Sequence, residues 1–154
     1  MTTLSTADLA LLERTRSAVL NVMVVAGLGI AVSGVVVGRR VVRVPAWPRR
    51  EAEAIGGGAL VALIFAGFLA RRVLGARARL RDPATRPGRF YRAHVLGAAL
   101  GALAVPLGFA YGYWIRPTLG AVAPFWVAAL ALGAINFPRA VELEGLDDGP
   151  GPSP

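Results

Sequence analysis

The chain has 154 residues, the usual size of a single domain. Hydrophobic residues make up 55% and charged residues only 17%, with a mean hydropathy of +0.57, which excludes a disordered chain and argues against an ordinary soluble globule. The net charge of +8 rests on arginine without a single lysine, and these arginines sit in blocks between apolar runs, the pattern of topology signals and anionic head-group contacts rather than of nucleic-acid binding.

Residues 1–16 form an amino-terminal arm. Ser5 with Asp8 makes a capping-box pattern, followed by Leu9, Leu11 and Leu12. The arm is expected to be an interfacial helix or an extension of the first span. The first apolar run, residues 17–38, has 22 residues without a charge. At about 1.5 Å per residue it covers a hydrocarbon core of roughly 30 Å. Asp8 and Glu13 precede it, and Arg39 and Arg40 follow, so a retained helix is expected rather than a cleaved signal.

The second run, residues 54–70, is short and opens on Gly56, Gly57 and Gly58, which predicts a loose helix end. The third covers residues 93–114 and the fourth residues 117–137, with Arg116 between them. The expected fold is therefore all-α: a polytopic integral membrane protein with four transmembrane helices in two antiparallel hairpins, in a membrane domain of residues 17–139. Pro106 lies inside the third run, where it removes a donor, frees the Ala102 carbonyl and predicts a kink. Residues 140–154 are acidic and rich in Gly and Pro, and are expected to be a disordered tail.

Arginine counts orient the spans. The arm, the second loop and the tail together hold 11, against 6 in the first and third loops. The positive-inside rule then puts both termini in the cytoplasm. Arginine without lysine, beside abundant Ala, Gly and Pro, suggests a GC-rich bacterial genome and hence the bacterial cytoplasmic (inner) membrane. Trp47, Tyr111, Tyr113, Trp114, Phe125 and Trp126 fit an aromatic belt at the opposite face.

In the third run His94, Gly97, Gly101, Ala104, Gly108 and Gly112 recur every three or four residues and share one helical face. With Gly34 and Gly38 in the first run, they are the expected helix-packing positions, within the chain or against another, because close backbone approach drives helix association in lipid.

No Asp, Glu or Arg falls inside a predicted span, which disfavours a proton relay or an ion-coupled carrier. Ser33 and His94 would differ in depth by roughly 20 Å, too far for a nucleophile and its base. With no Cys and one His, no metal site is expected, and no cofactor. Asn21, His94 and Asn136 fall near one boundary, where they form a weak candidate layer for a head group, quinone or cofactor edge; His94 could serve as a lone axial ligand of a haem or chlorin.

The second loop is the most charged segment. Arg71, Arg72, Arg77, Arg79 and Arg81 can meet anionic lipid, an acidic partner, or the acidic tail folded back. These features lead to the expectation of a small non-catalytic subunit supporting or assembling a larger membrane complex, with other integral subunits or copies of itself as partners. The alternative is a small transporter or channel that forms a path only as an oligomer.

Overall fold

The computed structural model describes residues 4–39, 49–76, 80, 82 and 84–144. Among these every regular element is helical: α1 (Thr6–Arg39), α2 (Arg49–Leu74), α3 (Arg86–Ala102), α4 (Ala104–Trp114), α5 (Leu119–Ile135) and a 3-10 turn (Ala140–Glu142). Three helical stretches are long and apolar enough to cross a membrane: α1, α2 and α3 with α4. The fourth, α5, is equally apolar but shorter, at 17 residues.

The arm is an extension of α1. Ser5 caps it: its Oγ accepts the Asp8 amide (3.1 Å), and its hydroxyl donates to the Asp8 carboxylate (2.8 Å). The resulting helix has 34 residues and is about 51 Å long, so its first turns project well beyond the apolar run. The glycine triplet does not loosen α2, which runs unbroken from Arg49. Gly56 instead makes room for a ring, since a Cβ there would stand 2.6 Å from Tyr111 Cδ2.

The third run breaks at Leu103, three residues before Pro106. Pro106 has no N–H for the Ala102 carbonyl, and its ring crowds that carbonyl, so the helix restarts as α4. Pro124 lies inside α5, close to its start, and removes one further helix bond.

The elements alternate in direction. Tyr111, Gly112 and Arg116 meet Gly56, Val37 and Glu53 at one end, while Asp8, Arg71, Arg86 and Glu142 gather at the other. α1 and α2 each pack chiefly on α3, and α4 and α5 form a closely packed pair. α3 is central, and its glycine positions let α5 approach closely.

The glycine face seats α5 within the chain. A Cβ on Gly97 would overlap the Asn136 amide; on Gly101 and Gly108 it would lie 2.6 Å from the Cβ atoms of Leu132 and Phe125; on Gly112, 2.5 Å from Val122 Cγ2. Gly34 and Gly38 also face α5, but at ordinary contact distances of 3.5 Å from Trp126 and 3.8 Å from Leu119. The core between the helices is built from small groups, with Ala26, Ala104, Val105, Ala128 and Ala129 around Phe125.

Beyond the apolar runs lies a second, smaller core. Leu12 of α1, Leu80, Phe90 of α3 and Leu143 are all buried together, with Leu4, Leu11 and Ala140 against them. Leu143 belongs to the stretch expected to be disordered; as far as Glu144 that stretch is folded, because Leu143 fills this core. Tail residues 145–154, with Asp147 and Asp148, lie outside the described residues.

Candidate functional site

Among the described residues, this end cap carries most of the side-chain polar contacts. Arg86 opens α3 and is almost wholly buried; its Nε donates to the Leu80 carbonyl (2.8 Å), and its Nη1 lies 3.5 Å from Asp8 of α1. Asp82 prepares the same helix start, accepting the Ala84 amide (3.1 Å) and the Thr85 hydroxyl (2.7 Å). The Thr85 hydrogen bond, with help from the Ala84 amide, holds the Asp82 carboxyl below its usual value. Arg14 lies over the Tyr91 ring, and Arg16 over Phe137 while it donates to the Pro138 carbonyl.

His94 stands two turns into α3. Its ring is buried against Phe90, with centroids 4.3 Å apart. Nδ1 donates to the Phe90 carbonyl (2.8 Å), and Nε2 meets Glu142 Oε2 (2.8 Å). Glu142 Oε1 accepts from Arg71 Nη2 at 2.6 Å. One carboxylate thus joins α2, α3 and the 3-10 turn. Burial on its own would raise the Glu142 pKa; the His94 hydrogen bond and charge, with Arg71 and Arg139, outweigh that, and the net shift is downward.

These groups border a cleft of about 530 Å³ whose lining includes Phe68, Arg71, Arg72, Leu80, His94, Arg139, Val141 and Glu142. Among the described residues, three guanidinium groups line it against one carboxylate. Arg71 Nη1 has no hydrogen-bond acceptor among the described residues.

Of the expected polar layer, two members come close and one does not. Asn136 is fully buried against Gly97, one turn along the face from His94, and donates to the Leu132 carbonyl (2.8 Å). Asn21 is exposed on α1 and takes no part. Both nitrogens of His94 are engaged by protein groups, which leaves neither for an axial metal bond in this arrangement. No group of three or more His, Cys, Asp or Glu with metal-binding potential occurs among the described residues. Ser33 donates to the Ile30 carbonyl (3.0 Å).

Arg71 and Arg72 continue the second span as the last turn of α2, and Arg86, Arg89 and Arg92 lie within α3. Arg77, Arg79 and Arg81 lie outside the described residues. Glu142 belongs to the acidic tail whose folding back on the second-loop arginines was one of three expectations, and its bond to Arg71 is such a contact; its bond to His94 was not expected. The available signal was its place between Val141 and Leu143, an apolar–acidic–apolar alternation just after α5.

The chain matches no protein-family model, and neither a curated protein nor a solved structure shows significant similarity to it.

Proposed function

We propose that this chain is a four-span integral protein of the bacterial cytoplasmic membrane, with both termini in the cytoplasm. Its role is that of a small non-catalytic subunit supporting or assembling a larger membrane complex. One observation carries the membrane reading: the chain is packed inside out. Alanine and glycine make up much of the contact between helices, while Val24, Val25, Leu28, Val32, Val61 and Phe65 are exposed. In the most apolar stretch of α1 or α2 only 17% of residues are buried, against 44% in α3 with α4. In water such faces would be a strong aggregation liability, whereas lipid or a neighbouring apolar helix covers them at no cost.

The glycine face is occupied by α5, so partners have the outer faces of α1 and α2 and the arginine-rich cap. The cap suits the cytoplasmic interface, where arginines meet anionic head groups. The buried polar groups of the cap hold helices together, which supports a structural role over a chemical one.

Extraction of native membranes in mild detergent, followed by native electrophoresis and mass spectrometry, tests both parts. The expected result is resistance to alkaline carbonate, with a partner recovered in fixed proportion. Release by carbonate would refute the membrane reading. A homo-oligomer without partners that conducts a solute in vesicles would replace the subunit role with transport.

A further inference from the structure

The geometry points to the cleft between the end of α2 and the 3-10 turn as a binding site for a single phosphate group, borne by a membrane lipid or by a phosphorylated solute. Arg71, Arg72 and Arg139 bring three positive charges to one cavity of about 530 Å³, and His94 supports them from its floor. Among the described residues, Glu142 is the only acidic one lining it. That carboxylate is already committed, to Arg71 Nη2 at 2.6 Å and to His94 Nε2 at 2.8 Å.

Two features favour an added anion over a site closed on itself. Arg71 Nη1 is buried without an acceptor among the described residues, while the side chain as a whole is a quarter exposed. Arg72 and Arg139 are exposed on the rim, where their charges exceed what Glu142 alone can neutralise. A phosphate offers several oxygens in the geometry that guanidinium forks recognise, and such charge-assisted bonds are the strong class. Phe68 gives the same cavity an apolar wall, which suits the glycerol and first methylenes behind a head group. The anion site follows from the cleft alone; assigning its phosphate to a lipid rests on the membrane reading above.

The full chain, purified in mild detergent, is titrated with phosphatidylglycerol, phosphatidylcholine and inorganic phosphate and read by native mass spectrometry. Carbonate extraction of the same membranes reports separately on membrane embedding. Wild type is compared with Arg72→Gln/Arg139→Gln, whose exposed positions spare the packed interior, and with Arg139→Gln alone should the double variant melt early. The expected result is one phosphatidylglycerol held in preference to phosphatidylcholine, competed by inorganic phosphate, and weakened about tenfold or more in the double variant. Arginine-dependent binding of inorganic phosphate without phosphatidylglycerol would keep the site and assign it to a soluble phosphorylated ligand. Equal binding by wild type and double variant, or no binding of either anion, would overturn the proposal.

Discussion

At the scale of single residues, the glycines divide into two kinds. A Cβ on Gly101 would stand 2.6 Å from that of Leu132, whereas one on Gly57 would meet nothing within 4 Å. Gly101→Ala is therefore expected to force α3 from α5 and lower stability by about 1–3 kcal/mol. Gly57→Ala should raise it by roughly 0.5–1 kcal/mol, because alanine loses less backbone freedom in a helix. Thermal unfolding in detergent reads both, and equal effects at the two positions would contradict the packing described. Glu142 supplies a second residue-scale prediction. Its folded pKa lies below the ordinary 4.5, so its contribution is complete above that pH and is lost as pH falls through the lowered value. Wild type should lose melting temperature in acid more steeply than Glu142→Gln; parallel profiles would show that the carboxylate does not stabilise the cap. The glycine face was legible in the sequence because spacing alone puts residues on one side of a helix. For Glu142 only an acidic tail folded back on arginine was legible; its partners lie 48 and 71 positions away, and no local pattern pairs this acid with His94.

At the scale of elements, α3 organises the molecule. Its small face takes α5, its flanks take α1 and α2, and its first turn is anchored to α1 through Arg86 and Asp8. Both side chains are more than nine-tenths buried, so Asp8→Ala would take one partner from a buried cation and should cost about 2–3 kcal/mol. Since Asp8 also completes the Ser5 cap, Ser5→Ala serves as the comparison; loss of the cap alone should cost only about 1 kcal/mol. Equal losses in chemical denaturation would remove the ion pair from the account. The break before Pro106 could be read from one residue, because a missing amide has a fixed consequence four positions back. The partners of α1 could not. Its apolar residues run around the whole circumference, which marks a helix for lipid or a core but leaves its rotation to tertiary contacts. Asn21 was placed in the polar layer by depth alone, and that rotation turned it outward.

At the scale of the whole molecule, the chain is asymmetric along its long axis. One end is a cap with its own apolar core, buried ion pairs and a basic cleft; the other has aromatic rings and the exposed Arg116–Glu53 pair. This asymmetry follows the distribution of arginine along the chain, and it was legible because charge between apolar runs can be counted without knowledge of packing. The central claim is that the capped end faces the cytoplasm and the chain crosses the bilayer four times. The sequence has no cysteine, so one introduced thiol reports without background. Gly88→Cys lies at the capped end and Thr118→Cys at the other, both at exposed positions. In right-side-out spheroplasts, a membrane-impermeant maleimide should label Thr118→Cys at once and Gly88→Cys only after lysis. Labelling of both positions from the same side would contradict the four-span account.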